Sequence, residues 1–184
     1  MKDIFALQDE VTLAVVSAIQ PRIFQAEIAL ASRRRPEDLT AYDLCLRAMQ
    51  QIGPSTREGL AEGLRLVQRA LELDPGFAGA AALAGACHLE NVVRNYAIDP
   101  QFERKEAVRL MRLALNLDDG DPNKLARAAL TSALLVGDCE TEIEMADRAV
   151  KLNPNSYHTW LCRGWVHKIA GRRKRSGALN VPCE

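Results

Sequence analysis

Apolar residues recur at intervals of three and four along most of the chain, and no segment alternates convincingly between apolar and polar positions. Side chains three and four residues apart share one face of an α-helix, so this spacing indicates amphipathic helices. Frequent alanine and leucine, with only 5% aromatic residues, favour helices as well. The sequence therefore predicts an all-α fold. Helices are expected over residues 42–52, 60–73, 77–93, 102–117, 124–136, 140–152 and 156–170.

The N-terminal part, residues 1–38, is predicted to be a joining helix followed by a basic linker. Its apolar residues from Ile4 to Ile19 follow helical spacing. Pro21 should end or kink this helix, because proline lacks a backbone N–H and its ring clashes with the preceding turn. Residues 32–38 read SRRRPED, a composition that is typical of a linker.

Two short sequences resemble the capping box that opens many helices. Thr40 is followed three residues later by Asp43, and Ser55 is followed by Glu58. In such a box the first side chain accepts a hydrogen bond from the backbone three residues on, and the acidic side chain reaches back to the first residue. We therefore expect one helix to begin after Thr40 and another after Ser55.

Three predicted helices end in similar sequences. These are RALELDPGF at residues 69–77, LALNLDDGD at residues 113–121 and RAVKLNPNS at residues 148–156. They share an alanine, which stands at Ala70, Ala114 and Ala149. Recurrence at such intervals is typical of stacked helix pairs, each of which buries its apolar face against the next pair.

The helix endings and the small residues before them resemble tetratricopeptide repeats. The positions that match are Gly63, Val67, Ala70, Pro75, Gly85, Ala107, Met111, Ala114, Gly137, Trp160, Gly164 and Gly171. The resemblance implies that Gly85 is the close-packing glycine and Gly137 the turn glycine of their repeats. His88 and His167 stand in slots that the family fills with an aromatic residue, so we expect them to have a packing role. Asp119 stands where the family has proline, and Glu142 stands where it has a small residue. The resemblance implies a tetratricopeptide-like solenoid of helix pairs, with about three and a half repeats over residues 39–171 after the joining helix.

The N-terminal region carries a narrower resemblance. The segment DIFALQDEVTLAVVSAI at residues 3–19 and AYDLCLRA at residues 41–48 are similar to the region that joins an upstream domain to the repeats in bacterial class III adenylate and guanylate cyclases. Similar segments follow winged-helix DNA-binding domains in some transcriptional regulators. The pattern predicts neither a cyclase domain nor a winged helix, so no catalytic residue is carried over. The resemblance implies the accessory part of a bacterial signalling protein, either a cyclase fragment or a fragment of a DNA-binding regulator.

Charge and composition narrow the function further. Lys plus Arg and Asp plus Glu each number 24, and a net charge of zero does not favour a nucleic-acid partner. No apolar run approaches the roughly 18 residues of a membrane helix, and the N-terminus lacks the features of a signal peptide. We expect a cytoplasmic protein whose five cysteines are reduced thiols.

The sequence contains no constellation that is typical of catalysis or cofactor binding. Its glycines form neither a dinucleotide-binding nor a phosphate-binding loop. His158 and Cys162 lie four residues apart and share a helix face, which would be half of a metal site, but no further ligand has useful spacing. The chain is therefore predicted to be a non-catalytic interaction module that needs no cofactor or metal.

The predicted partner-binding residues lie on the first helix of each pair, which lines the concave face of such arrays. They are Lys124, Arg127, Thr131, His158, Leu161, Trp165 and Lys168. A basic rim with an exposed tryptophan would fit an extended peptide or a helix that bears a carboxylate, and the other expected partner is an upstream signalling domain. In the simpler alternative, Trp165 packs on a further helix and the charges are solvated.

The last repeat is predicted to be incomplete. After Gly171 the family spacing requires a second helix, but residues 172–184 begin with a basic run and place Pro182 where that helix should be strongest. We expect a disordered or aberrant tail, from truncation or a frameshift near Gly171. The helix over residues 156–170 should then keep an apolar flank, including Trp160, under-covered, and such an uncapped helix favours self-association.

Overall fold

The computed structural model describes residues 2–35, 39–118, 120–137 and 139–176 of the chain. These residues contain helices and no strand, which confirms the all-α prediction. The helices are α1 (Lys2–Arg33), α2 (Ala41–Ile52), α3 (Arg57–Leu73), α4 (Ala78–Val93), α5 (Pro100–Leu117), α6 (Pro122–Leu135), α7 (Cys139–Leu152) and α8 (Tyr157–Ser176). They fall into two compact units, Met1–Leu117 with α1 to α5 and Asp118–Glu184 with α6 to α8.

The joining helix α1 continues through Pro21, so the helix does not end there, and the expected kink at Pro21 stays a prediction. A single proline removes one N–H donor, and the hydrogen bonds on either side hold the helix together. The helix also continues to Arg33, which shortens the predicted linker at residues 32–38; residues 36–38 lie outside the described residues. Among the helices of the described ranges, none combines the length and the apolar character needed to cross a bilayer.

Helix α2 begins with the predicted capping box. The Thr40 hydroxyl accepts a hydrogen bond from the backbone N–H of Asp43 at 3.2 Å, and the Asp43 carboxylate accepts one from the Thr40 N–H at 3.0 Å. Two of the N–H groups that have no partner inside a helix are thereby satisfied. The aspartate therefore fills the role that glutamate has in the usual sequence.

Helix α3 is capped one residue later than predicted. Ser55 has a φ of 55° and its N–H donates to the Ile52 carbonyl at 2.7 Å, so it completes the turn after α2. An N-cap needs extended backbone, and Thr56 supplies it, accepting a hydrogen bond from the Gly59 N–H at 3.1 Å. The prediction that Ser55 is the cap is therefore wrong, because the turn uses that residue first.

A buried carboxylate holds α1 against α2. Arg34 donates to both oxygens of Asp43 at 2.7 Å, and Arg47 of α2 donates to the Ala31 carbonyl at 2.9 and 3.0 Å near the end of α1. Burial raises the pKa of the Asp43 carboxyl, but hydrogen bonds from Thr40 and Arg34 more than offset this, so the pKa lies below its ordinary value. Asp43 thus stays charged at neutral pH, and the joining helix is tied to the repeats.

The core of the first unit relies on close approach between helices. Its central cluster is formed by Leu44, Cys45, Ala48, Leu66, Val67, Ala70, Ala80, Ala84 and Leu110. Helix α4 packs extensively on α5 and also contacts α2 and α3. A Cβ added at Gly85 of α4 would lie 3.1 Å from the Ala107 carbonyl oxygen and 3.2 Å from Met111, both on α5. Gly85 is therefore a close-packing position, as the sequence predicted.

The second unit has a smaller core of the same kind. Ala129 and Ala133 of α6, Ala146 of α7 and Val166 of α8 are fully buried together. Helix α6 contacts both α7 and α8, as α2 contacts both α3 and α4 in the first unit. Contact between alternate helices is the arrangement in which stacked helix pairs bury a continuous core.

The last helix is longer than predicted. Helix α8 continues past Gly171 to Ser176, so the start of the predicted disordered tail at residues 172–184 is helical instead. Arginine and lysine are good helix formers, and one interior glycine costs only about 1 kcal/mol. Residues 177–184, including Pro182, lie outside the described residues.

We predict that Gly59→Ala destabilises the protein, because the new Cβ would press against the backbone carbonyl oxygen of Gln51 closer than van der Waals contact allows. The expected loss is about 1–3 kcal/mol in the free energy of unfolding, measured by urea denaturation. Gly164→Ala is the matched control. No described atom beyond its chain neighbours and the adjoining backbone of its own helix lies within 4 Å of its Cβ, so the variant should gain about 0.5–1 kcal/mol from helix propensity. Equal effects of the two substitutions would contradict this packing argument.

Candidate partner-binding face

Helix α8 is fixed at its start by a polar turn. Ser156 donates to the Asn123 side-chain carbonyl of α6 at 2.9 Å, and the Thr159 hydroxyl donates to the Ser156 carbonyl at 2.9 Å. Asp121 caps α6 by accepting hydrogen bonds from the N–H groups of Asn123 and Lys124, as its position before Pro122 predicts. The first turn of α8 is therefore anchored on the first turn of α6.

One side of α8 is buried and the opposite side is exposed. Thr159, Cys162, Val166 and Ala170 follow helical spacing and are almost completely buried. The opposite side carries six residues that we call the α8 face: Tyr157, Trp160, Leu161, Gly164, Trp165 and Lys168. The predicted binding residues Leu161, Trp165 and Lys168 therefore lie together on this face, as expected from their spacing.

The α8 face exposes large apolar side chains. Trp160 is 48% exposed, Trp165 is 45% exposed and Leu161 is 41% exposed. Isolated exposed apolar residues are ordinary, but neighbouring exposed aromatic residues mark surfaces that bind other molecules. The sequence placed Trp160 on an under-covered flank rather than in the site, and the structure puts it beside the predicted residues.

Within the described residues, the α8 face has no neighbouring helix at Gly164 of the kind that covers Gly85 in α4. In α4, the space beyond Gly85 is filled by Met111 of α5. At the corresponding Gly164 in α8, no described atom beyond its chain neighbours and the adjoining backbone of its own helix lies within 4 Å of where a Cβ would be. A glycine in the middle of a helix costs stability unless another chain segment needs the space. The α8 face thus has a gap at the position where α4 receives its partner helix.

Cations lie over both tryptophans. The Lys168 ammonium lies 4.5 Å from the centre of the Trp165 ring, and the Arg163 guanidinium lies 5.5 Å from that of Trp160. Arg163 also donates to Asp147 of α7 at 2.5 Å, and this hydrogen bond lowers the pKa of the Asp147 carboxyl despite its partial burial. The charge of Arg163 is therefore compensated within the unit, whereas the Lys168 ammonium lies over the ring face of Trp165. The face is apolar with a cationic end.

Of the predicted residues of α6, Lys124 and Thr131 are not part of this face, while the partly exposed Arg127 lies near enough to His158 of α8 to affect its pKa. Lys124 has a largely covered side chain that pairs with Asp118 and lies 3.7 Å from Asp121. Thr131 is completely buried, and its hydroxyl donates to the Arg127 carbonyl at 2.9 Å. The expectation that Thr131 lies on an exposed face is therefore not met. A threonine hydroxyl can bond within its own helix, and this lets it sit in a core position that the repeat spacing assigned to the surface.

His158 and Cys162 form a neutral, mostly buried pair. The Cys162 sulfur lies 3.6 Å from His158 Nε2. Burial, together with the positive charge of Arg127, lowers the pKa of His158 to about 4, while burial raises the pKa of the Cys162 thiol. Within the described ranges, no group of three or more His, Cys, Asp or Glu side chains could hold a metal ion. A neutral histidine beside a protonated thiol suits a packing role for this pair.

A second histidine is buried in the first unit, in the family's aromatic slot. His88 lies edge-on to Phe102 of α5, with ring centres 6.1 Å apart. His88 Nδ1 also lies 2.6 Å from the Glu103 carboxylate. The predicted packing role of His88 fits this position, but sequence spacing gave no sign of the glutamate, since it comes from the next helix.

Comparison with known proteins supports a helical repeat. Residues 139–169, which cover α7 and most of α8, match the model of the protein prenyltransferase alpha subunit repeat. Over 122 residues, which is 66% of this chain, the sequence is 31% identical to a protein of Rhizobium meliloti (strain 1021) named "Putative adenylate cyclase 3". The aligned part is 21% of that protein, so the chain spans about a fifth of the relative that it matches.

We predict that the second unit loses stability as the pH falls below 6.5, because the folded pKa of His158 is about 4. The unfolded chain binds a proton near pH 6.5, and the folded chain does not until near pH 4. Between pH 7 and pH 5 the free energy of unfolding should fall by on the order of 1 kcal/mol, allowing for partial exposure. Urea denaturation of wild type and of the non-titrating variant His158→Gln tests this. An equally steep fall in both proteins would contradict it.

Proposed function

We propose that this chain is a non-catalytic, tetratricopeptide-type interaction module that binds a protein partner on the α8 face. The observation that carries the proposal is the open space at Gly164, framed by exposed Trp160, Leu161 and Trp165. The chain itself supplies the comparison, because the equivalent glycine of α4 is covered by α5. Aromatic side chains around a gap are typical of the centres of protein interfaces.

The proposed partner segment is an amphipathic helix. In the first unit Gly85 is met by Ala107 and Met111 of α5, with Ala114 one turn further on. A helix with the same small–large–small stripe fits the gap at Gly164, with its large side chain over the glycine. Lys168 and the exposed Arg172 lie at one end of the α8 face, so acidic residues beside the stripe would complement them. Such a partner corresponds to the carboxylate-bearing helix that the sequence suggests as one partner. The chain's net charge of zero also favours a protein over a nucleic acid as partner.

The parent protein is proposed to be a bacterial nucleotide cyclase. The repeat-like helix endings, the joining segment before α2 and the name of the Rhizobium relative support this, and they favour a cyclase over a winged-helix regulator. The chain would be the regulatory part of such a protein, with the upstream domain as a second partner. No residue of this chain is assigned a role in cyclic nucleotide synthesis.

We predict that a designed acidic helix binds the α8 face. The probe is a synthetic peptide with an Ala–Met–Ala stripe, spaced as in α5 and flanked by glutamates. Its binding can be followed through intrinsic fluorescence, because Trp160 and Trp165 are the two tryptophans of the chain and both lie on the face. Wild type should show a blue shift as the rings lose water. Leu161→Glu should weaken binding by at least about tenfold, or about 1.4 kcal/mol.

Two controls distinguish binding by the α8 face from nonspecific binding of the peptide. Ile98→Glu also places a charge on an exposed apolar residue, but in the first unit, and should bind the peptide like wild type. A peptide with lysines in place of the glutamates should bind more weakly, because it meets Lys168 with like charge. If Leu161→Glu and wild type bind the acidic peptide equally well, the α8 face is not the site.

A cyclase assay tests whether the chain is non-catalytic. Purified chain incubated with ATP and Mg²⁺ or Mn²⁺ should form no cyclic AMP above a blank reaction. Product formed in proportion to protein concentration would contradict the proposal. Peptide binding and this assay are independent, so failure of one leaves the other interpretable.

A further inference from the structure

Helix α1 exposes a continuous apolar stripe. Val16, Ile19, Ile23 and Leu30 are each between 46% and 58% exposed, and Ala26 between them is exposed as well. A helix in water usually covers such residues, because burying each large one contributes about 1.5–3 kcal/mol. The stripe is therefore a surface that needs an occupant.

The spacing of the stripe is that of a coiled coil. Steps of three, four, three and four residues separate Val16, Ile19, Ile23, Ala26 and Leu30. These steps place Val16, Ile23 and Leu30 at the a positions of a heptad, and Ile19 and Ala26 at the d positions. Pro21 falls at neither. Continued toward the N-terminus, the next d and a positions are the polar residues Thr12 and Asp9. The apolar seam therefore runs from Val16 to Leu30, which is about 20 Å of helix.

The stripe is separate from the side of α1 that packs on α2. That side is marked by Ala31, which is buried, by Glu27, which accepts a hydrogen bond from the Tyr42 hydroxyl at 2.6 Å, and by Ser32, which bonds to Gln50. By helical rotation this side lies about a third of a turn from the seam. A second helix can therefore lie along the seam while α1 stays in place on α2.

We infer that the occupant is α1 of a second copy of this chain, in a parallel two-stranded coiled coil. Matching heptads let two copies interdigitate their own a and d residues, and β-branched residues at a positions, here Val16 and Ile23, favour two strands. The contact is independent of the α8 face, which lies in the other unit.

Charge selects the parallel orientation. Arg22 occupies a g position and Glu27 the e position of the next heptad. In a parallel pair the g residue of one helix meets that e residue of the other, so Arg22 faces Glu27 twice across the dimer. In an antiparallel pair, g meets g and e meets e, so Arg22 no longer faces Glu27, and with Ile19 opposite Ile23 it would face Arg22 of the other helix. The Tyr42 hydroxyl donates to Oε2 of Glu27, and a carboxylate can accept hydrogen bonds on both oxygens. Glu27 can therefore bind Tyr42 and Arg22 of the other helix at the same time.

Sedimentation equilibrium over a range of protein concentrations tests the dimer. Wild type should show a reversible monomer–dimer equilibrium. The double variant Ile19→Asp/Ile23→Asp should raise the dimer dissociation constant at least tenfold, because it buries charge in the seam. Ile98→Asp, at another exposed isoleucine, should leave the constant unchanged. A wild type that stays monomeric at every concentration overturns the proposal, and so does a dimer that the seam variant keeps but Leu161→Asp abolishes.

Crosslinking tests the orientation without disrupting the seam. Val16→Cys, in a background with Cys139 and Cys183 changed to serine, should form an intermolecular disulfide under mild oxidation, because equal a positions meet in a parallel pair. An antiparallel pair packs a residues against d residues, so with Ile19 opposite Ile23 it would bring Val16 opposite Ala26. Crosslinking of Val16→Cys only with Ala26→Cys, and not with itself, would overturn the parallel arrangement. Peptide binding by the α8 face should be the same in the crosslinked and free proteins.

Discussion

Each helix of this protein has an apolar side that must be covered, and small residues decide where a neighbour can come close enough to cover it. Gly85 is the clearest case, because Met111 and the α5 backbone already lie within about 3 Å of the space that a methyl group would need. Packing of this density gives most of the dispersion energy of a helical core, and it is lost when the neighbour is absent. The alanine-rich α4 can therefore be buried on several sides at once, against α2, α3 and α5.

Two helices keep an apolar side exposed, and they differ in kind. On α8 the exposed side carries aromatic rings around a glycine, an irregular surface that suits one large side chain from a partner. On α1 the exposed side is a regular aliphatic stripe from Val16 to Leu30, which suits an identical helix. Each lies in its own unit, so an array of this type can hold a copy of itself and a different partner through separate surfaces.

Much of the fold could be predicted from the sequence, because the helices and their caps depend on local chemistry. The all-α fold, the capping box at Thr40 and the close packing at Gly85 all follow from spacing and residue type. Other features depend on tertiary context. Thr131 satisfies its hydroxyl within α6 and is buried, although its spacing put it on the surface. Helix α8 continues past Gly171, because local propensity in its basic run outweighs the turn that the repeat pattern implies. The under-covered flank of α8 was predicted from the incomplete last repeat, but the sequence did not show that Gly164 lies at its centre, since a glycine looks the same in sequence whether its neighbour is present or absent.

Two titratable groups, Asp43 and His158, show that the two units respond differently to acid. Asp43 is charged and bonded to Arg34 and Thr40, so the contact between α1 and α2 depends on a carboxylate whose pKa is below 3.8. Its contribution is present above that pH and is lost only as the pH falls through the lowered value. His158 is buried without its charge, and its contribution is lost earlier, as the pH falls from 6.5 toward 4. Mild acid therefore weakens the helix that carries the α8 face while the joining helix stays bound to α2. The stripe on α1 is aliphatic and has no titratable group at its a and d positions from Val16 to Leu30, so self-association should outlast partner binding as the pH falls.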